Sequence, residues 1–283
     1  MTLRFLVADS ESAEARDKRR ASVGKSAGES FVAFVGRLEP EATVELATPA
    51  DADVAPLSPE MLARFDAVFL TGSPLHIYDG SPESEREIAF MRAVFASGTP
   101  SFGSCAGLQV AVAAAGGRVR PMDEQREAGF ARAVRLTDAG RTHPLLHGRP
   151  PTFDALTMHG DEVESLPAGA TLLATNAAAR VQAAEIRHDR GVFWGVQYHP
   201  ELTLHEIAAA LRRDAETLVE DGLARGAEDV EAQAGLVEAL GREPERADLR
   251  WRLGVDEHVA RDAERRREVE NFVRFLVRGE SVG

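Results

Sequence analysis

The chain of 283 residues contains a single cysteine, Cys105. One thiol cannot form an intramolecular disulfide, and it cannot supply the several cysteines of a structural zinc site. Both kinds of scaffold are therefore excluded. The fold has to be stabilised by buried apolar side chains, and the hydrophobic content of 44% is typical of a globular protein with a substantial core.

Basic residues are outnumbered by acidic ones. The sequence holds 33 Lys and Arg against 46 Asp and Glu, which gives a formal net charge of −13. Binding to a phosphate backbone needs clustered basic residues, so no nucleic-acid partner is predicted. The arginine run 265–267 is flanked by glutamates, which indicates a solvated helix face.

Long uninterrupted apolar runs are missing as well. No stretch has the length and apolarity of a membrane-spanning helix, and the first residues acquire charge too early for a signal peptide. We therefore expect a cytoplasmic protein without a membrane partner.

Short apolar runs alternate with helical patterns through the first half of the chain. The predicted strands there are 3–8, 42–47, 67–70 and 100–104, and the predicted helices are 11–20, 31–38, 83–97 and 106–115. The Gly- and Ser-rich stretch 22–30 is predicted to be a loop. A run of strands follows (130–136, 152–158, 170–174, 180–187 and 192–198), and then a helix over 204–219. This order favours an open α/β sheet with an added antiparallel section.

The composition changes after Gly222, where charged residues become denser. We predict a domain over 1–221 and a helical extension over 222–283, with helices near 227–240, 245–253 and 256–278. The last helix carries an apolar stripe at helical spacing, formed by Val269, Phe272, Val273 and Leu276. The stripe must cover either the α/β domain or another subunit, so a homo-oligomer and docking of a second protein both remain open.

The strongest chemical signal is GSCAG at 103–107, between a predicted strand and a predicted helix. This context is typical of a nucleophile elbow, in which glycines allow a sharp turn. A thiol at a helix N-terminus is favoured as thiolate, and the N–H of Ala106 would face a developing oxyanion. The alternative is a small buried cysteine in a tight packing site.

A base for this thiol is available in the sequence HPE at 199–201. Pro200 favours an extended conformation at His199, and in extended chain residues i and i+2 face the same side. Glu201 can therefore orient the His199 imidazole. A strand-end histidine beside a surface glutamate is the alternative.

These segments together resemble the class I (triad-type) glutamine amidotransferases. GSCAGLQ at 103–109 is similar to the nucleophile motif of that family, and VQYHPE at 196–201 to its His-Pro-Glu motif. TGSP at 71–74 resembles the oxyanion turn, and MHGD at 158–161 resembles a segment in the glutaminase domain of GMP synthase. The resemblance covers roughly residues 1–220. It implies a flavodoxin-like, mostly parallel open sheet with helices on both faces and the site at the carboxyl ends of the strands.

The resemblance also implies roles for residues. Cys105 would attack the side-chain amide of glutamine, His199 would act as base and then acid, and Glu201 would orient His199. The implied oxyanion hole comprises Gly72, Ser73 and Ala106, and the implied substrate contacts are Gln109, His159 and Asp161. Asp161 would hold the α-ammonium group. Glutamate and ammonia would be released from a glutamyl thioester, and no cofactor or metal is expected.

One position departs from the family pattern, because Ser73 stands where the oxyanion turn usually has a second glycine. If the turn must flip, serine makes the flip harder, so activity would be low without a partner or the substrate would differ.

Two further patterns in the sequence do not predict a phosphate-binding or zinc-binding site. GKS at 24–26 lacks the first glycine of a phosphate-binding loop, since Arg19 occupies that position. His143 and His147 have the spacing of a helical zinc site, but Pro144 argues against a helix there.

Three functions therefore remain. The first is a glutamine amidotransferase that passes ammonia to a separate synthetase, since no ATP-pyrophosphatase loop is found in this chain. The second is a stand-alone hydrolase or transferase of another γ-glutamyl amide. The third is a non-catalytic regulatory or binding protein, against which the complete set of Cys105, His199 and Glu201 argues.

Overall fold

A computed structural model describes residues 2–123 and 126–282. Its strands, in chain order, are β1 (Arg4–Ala8), β2 (Thr43–Ala47), β3 (Ala67–Leu70), β4 (Ser101–Ser104), β5 (Arg118–Pro121), β6 (Glu127–Leu136), β7 (Thr152–His159), β8 (Asp161–Ser165), β9 (Ala170–Thr175), β10 (Ala183–His188) and β11 (Gly191–Val196). Nine of them form one sheet in the order β2-β1-β3-β4-β11-β10-β9-β6-β7, and β5 pairs with β8 separately.

The large sheet has a parallel half and an antiparallel half. The four pairings from β2 to β11 are parallel, and the four from β11 to β7 are antiparallel. Strand β11 is the seam between the halves, because it is parallel to β4 and antiparallel to β10. The antiparallel section predicted from the sequence is thus a continuation of the parallel sheet.

The helices are α1 (Ala13–Val23), α2 (Ala27–Leu38), α3 (Pro59–Leu62), α4 (Pro82–Ser97), α5 (Ala106–Ala114), α6 (Asp138–Thr142), α7 (Leu204–Arg213), α8 (Ala215–Glu220), α9 (Ala227–Arg242), α10 (Ala247–Leu253), α11 (Glu257–Ala260), α12 (Asp262–Arg265) and α13 (Arg267–Asn271). A 3₁₀ turn spans Pro144–Leu146, and a π-helical segment spans Phe272–Val277. Within the described part of the chain, no helix combines the length and apolarity needed to cross a membrane.

Helices cover both faces of the parallel half. Its inner strands β1, β3 and β4 are almost entirely buried, whereas the residues of the edge strand β2 are exposed or half-buried. Along β1, Phe5 belongs to one hydrophobic cluster and Leu6 to the other. The first cluster includes Phe31 of α2, and the second includes Met91 of α4 and Leu108 of α5. This layering confirms the predicted flavodoxin-like α/β class.

The C-terminal apolar stripe packs into the core of the same chain. Phe272 lies between the sheet residues Phe69 and Phe102, with ring centroids 5.4 and 5.7 Å away, and Val269 and Val273 join the same cluster. Of the two alternatives for the stripe, the structure therefore supports coverage of the α/β sheet.

Some predicted boundaries are wrong. The predicted loop 22–30 holds the end of α1 and the start of α2, because Ser26 caps α2 in a capping box with Glu29. The predicted helix 204–219 is interrupted at Asp214, whose ψ of 16° leaves the helical region.

The predicted helix 256–278 is also divided. The chain leaves helical geometry at Arg261, where ψ is 121°. The Arg265 guanidinium donates to the carbonyls of Val259 and Ala260. It thus supplies hydrogen-bond donors to the C-terminal end of α11 from outside that helix.

Candidate active site

Polar turns collect at the carboxyl edge of three neighbouring strands. The turn 71–74 follows β3, Cys105 follows β4, and His199 lies shortly after β11. Because β3, β4 and β11 are adjacent and parallel, their carboxyl ends meet. A cavity of about 650 Å³ opens at this edge and is lined by Gly72, Cys105 and His199. This is the edge at which open α/β sheets bind ligands.

Cys105 occupies a strained turn between β4 and α5. Its φ of 53° and ψ of −112° are rare for a residue with a side chain, and its N–H donates to the Val196 carbonyl at 2.8 Å. A Cβ at Gly107 would come within 2.7 Å of the Leu70 carbonyl oxygen, so only glycine allows this approach of α5 to β3. The structure thus forms the strand–turn–helix geometry of a nucleophile elbow.

His199 and Glu201 are in direct contact. His199 Nδ1 donates to Glu201 Oε1 at 2.7 Å, and both side chains are buried. The backbone N–H of His199 donates to the Leu156 carbonyl of β7 at 2.8 Å. The antiparallel half of the sheet therefore supports the position of the imidazole.

The electrostatic environment favours a proton on His199. Burial by itself lowers the pKa of His199, but the charge of Glu201 and the hydrogen bond and charge of Cys105 outweigh it and raise the pKa to about 10. A positive charge beside a cysteine is an environment that favours the thiolate form of such a residue.

Ser104 is a site residue that the sequence analysis missed. Its hydroxyl donates to Glu201 Oε1 at 2.9 Å, the same oxygen that accepts from His199. Ser104 lies inside the nucleophile motif, yet nothing in the local pattern indicates a contact with a residue 97 positions away.

The predicted oxyanion residues surround Cys105. A Cβ at Gly72 would lie 3.5 Å from Cys105 Cβ and 2.7 Å from His199 Cε1, so the turn packs tightly on both. Ser73 Oγ accepts from the Leu75 N–H at 3.1 Å. Ala106 directly follows Cys105 and begins α5.

The three predicted substrate residues line the cavity but also bind one another. Gln109 Nε2 donates to the Asp161 carbonyl at 3.1 Å, and His159 Nδ1 donates to the same carbonyl at 2.9 Å. His159 Nε2 lies 3.0 Å from Glu127 Oε2. The Asp161 carboxylate accepts from Tyr78 and contacts His76, two residues that the sequence analysis did not select.

Helix α1 and the residues that precede it form a further wall of the cavity. Glu11, Lys18 and Arg19 are among the lining residues. Glu11 follows β1 at the same sheet edge, which is the signal that could have found it. Burial is the main reason that the pKa of Glu11 is raised. The wall therefore adds charged groups of both signs to the cavity.

Over residues 2–123 and 126–282, no cluster of three or more His, Cys, Asp or Glu side chains is arranged to hold a metal ion. His143 instead contacts Glu185 at 3.2 Å and packs on Trp194.

A model of the glutamine amidotransferase class-I family matches residues 26–215. The chain therefore belongs to the class I glutamine amidotransferase family.

Two curated relatives differ in their reactions. The chain is 43% identical over 223 residues to γ-glutamyl-L-1-hydroxyisopropylamide hydrolase from a Pseudomonas species, an alignment that covers 78% of this chain and 75% of that enzyme. It is 33% identical over 147 residues to the GMP synthase of Thermomicrobium roseum, covering 52% of this chain but only 25% of the synthase. The chain thus matches about a quarter of that synthase.

A solved glutamine amidotransferase from Thermotoga maritima has the same fold. Its TM-score is 0.64 at 17% identity, and the alignment covers 96% of this chain and 99% of the other.

Proposed function

We propose that this protein hydrolyses γ-glutamyl amides through a glutamyl thioester on Cys105. The observation that carries the proposal is the strained Cys105 elbow beside the His199–Glu201 pair, on the lining of a cavity of about 650 Å³. That volume lies within the usual range of small-molecule sites.

In the first half of the reaction, Cys105 sulfur attacks the amide carbon and the carbonyl oxygen becomes an oxyanion. The N–H groups of Ala106 and the 72–73 turn stabilise that charge. The His199 imidazolium then gives its proton to the leaving nitrogen, and the carbon–nitrogen bond breaks. Glu201 keeps the imidazole oriented throughout.

In the second half, neutral His199 takes a proton from water as the water attacks the thioester carbon. The carbon–sulfur bond breaks, glutamate leaves, and the proton on His199 restores the starting pair.

For the leaving group we favour a substituted amine. The support is the relative that hydrolyses γ-glutamyl-L-1-hydroxyisopropylamide, which aligns over most of both chains. Glutamine, with ammonia passed to a separate synthetase, is the second candidate and is supported by the partial match to GMP synthase. A cytoplasmic location and a homo-oligomer remain predictions.

The test is a substrate panel assayed for release of amine or ammonia. It includes glutamine, γ-glutamylethylamide and γ-glutamylisopropylamide, with asparagine as a β-amide control. We expect the N-alkyl amides to give the highest kcat/KM and Cys105→Ala to abolish all turnover. A higher kcat/KM for glutamine would select the second candidate, and equal turnover by Cys105→Ala would exclude both.

A further inference from the structure

The segment 71–81 between β3 and α4 contains the oxyanion turn and is held at both ends. At its start, Thr71 Oγ1 accepts from the Ser10 N–H at 3.0 Å. At its end, Asp79 accepts from the Ser81 N–H at 2.8 Å and from the Ser84 hydroxyl at 3.0 Å. Between these points, residues 71–74 and His76 line the cavity.

In its middle, the segment is bound to the first residue of β8, which also lines the cavity. His76 Nδ1 lies 2.7 Å from Asp161 Oδ2, and the Tyr78 hydroxyl donates to Asp161 Oδ1 at 3.0 Å. Both oxygens of the carboxylate are thus engaged by one segment. Asp161 begins β8, which belongs to a different sheet from β3.

The two sides of this contact differ in exposure. The Asp161 side chain is 12% exposed, whereas the His76 side chain is 59% exposed. A buried carboxylate requires partners, and here a loop from the surface supplies them. Burial and then the charge of Asp161 raise the pKa of Tyr78 to about 12, so its hydroxyl stays a donor at neutral pH.

We propose that Asp161 anchors the oxyanion turn against Cys105 through His76 and Tyr78, which makes all three positioning residues. This inference rests on the proposed function. It gives Asp161 a role other than the binding of α-ammonium that the family resemblance implies.

Position matters at this turn because His76 is only three residues beyond Ser73. An oxyanion donor acts at about 2.7–3.1 Å from the charge, and a displacement of about 1 Å can cost roughly a hundredfold in rate. An anchor also bears on Ser73, because it would hold the turn that contains this serine in one conformation.

The kinetic test removes each contact separately. Tyr78→Phe deletes one hydroxyl, and His76→Leu deletes the imidazole. We expect kcat to fall about tenfold in each while KM changes less than about twofold, because the donors move but remain present. His76→Asn, which keeps a donor near Nδ1, should restore most of the rate.

Two controls separate positioning from general damage. His205→Leu is matched, since His205 is 64% exposed, pairs with Glu238 at 3.3 Å and does not line this cavity; it should leave kcat unchanged. Alkylation of Cys105 by iodoacetamide needs no oxyanion hole, so its rate should be the same in Tyr78→Phe and wild type.

Asp161→Asn distinguishes the two roles of the carboxylate. An anchor predicts that it lowers kcat as the Tyr78 and His76 variants do. An increase in KM with kcat unchanged would assign Asp161 to the substrate ammonium and overturn the anchor, as would unchanged kcat in both Tyr78→Phe and His76→Leu.

A measurement without substrate separates this inference from the proposed function. Hydrogen exchange of the backbone amides in 72–78 should be faster in Tyr78→Phe and His76→Leu than in wild type. If wild type hydrolyses no γ-glutamyl amide, the proposed function fails, and unchanged exchange in both variants would overturn the anchor independently.

Discussion

Ser104 and Cys105 are neighbours in the chain, yet their side chains act at opposite ends of the proposed catalytic set. Cys105 faces His199, while the Ser104 hydroxyl contacts Glu201 at 2.9 Å. Because the two residues are consecutive, a shift of the chain at this point would move both Cys105 and the hydrogen bond to Glu201. Two of the three catalytic candidates are thus coupled through one dipeptide.

Replacement of Ser104 by alanine removes one of two hydrogen bonds to Glu201 Oε1. Hydrogen bonds to charged groups contribute about 1.5–3 kcal/mol, and His199 remains bound to Glu201. We therefore expect kcat to fall about tenfold with KM little changed, measured by steady-state hydrolysis. Ser101→Ala is the matched control, a buried serine of the same strand away from the site. Equal kcat in the two variants would remove Ser104 from the set.

The raised pKa of His199 predicts how Cys105 responds to pH. With a pKa of about 10, His199 stays protonated from pH 7 to pH 9, so its positive charge beside Cys105 is constant over that range. Iodoacetamide should therefore alkylate Cys105 at a nearly constant rate between these values. In His199→Ala the rate should rise steeply with pH, as it does for an ordinary thiol. Parallel pH profiles for the two proteins would contradict an influence of the His199 charge on Cys105.

At the scale of the elements, the turn after β3 is packed closely against two of the candidate catalytic residues. Gly72 lies against an imidazole that Glu201 holds in place, so His199 has little freedom to move away. The turn is also where the sequence departs from its family pattern, at Ser73. The geometry of this turn depends on the ends of the neighbouring strands β1 and β4 and on the contacts of segment 71–81.

A methyl group at Gly72 tests this tightness. In Gly72→Ala the new Cβ would lie 2.7 Å from His199 Cε1, so the imidazole or the turn must shift, and we expect kcat to fall about a hundredfold. Gly36→Ala is the control, because a Cβ at that α2 position meets nothing within 4 Å. It should keep full activity and gain about 0.5–1 kcal/mol of stability. Kinetics and thermal melts of both variants make the comparison.

Features that are determined by a short stretch of sequence could be predicted, whereas features that depend on contacts between distant residues could not. The elbow 103–107 and the pair His199 and Glu201 are contiguous in sequence, and their strand contexts could be recognised from short patterns. The contact between Tyr78 and Asp161 joins residues 83 positions apart and has no local signal. Similarly, α2 begins at Ala27 because of one serine cap that a Gly- and Ser-rich composition conceals.

At the scale of the whole molecule, the C-terminal part is integrated with the sheet. Arg149 binds Glu268 of α13 through two hydrogen bonds of 2.7 and 2.8 Å, and the Tyr198 hydroxyl donates to Glu268 at 2.7 Å. Tyr198 immediately precedes His199. The sequence periodicity predicted the apolar stripe, but the buried Arg149–Glu268 pair depends on tertiary contact and could not be predicted.

Phe272→Ala tests this integration. The ring is fully buried among Phe69, Phe102 and Trp194, so its loss should lower the free energy of unfolding by about 3–5 kcal/mol. Trp251→Ala, at a position 83% exposed, should change it by less than about 0.5 kcal/mol. Urea denaturation followed by fluorescence and by circular dichroism measures both. A loss below about 1 kcal/mol in Phe272→Ala would indicate a separable extension.

Strand β11, which joins the two halves of the sheet, also determines how the candidate site tolerates changes elsewhere in the chain. The Cys105 N–H bonds to the last residue of β11, and His199 follows that strand by three positions. The spacing of Cys105 and His199 is therefore set by strand pairing in the middle of the sheet. Surface loops can lengthen or shorten without altering that spacing, whereas a register slip between β4 and β11 would separate the pair. Substitutions in the cavity walls would therefore change the lining of the cavity while Cys105 and His199 keep their relative position.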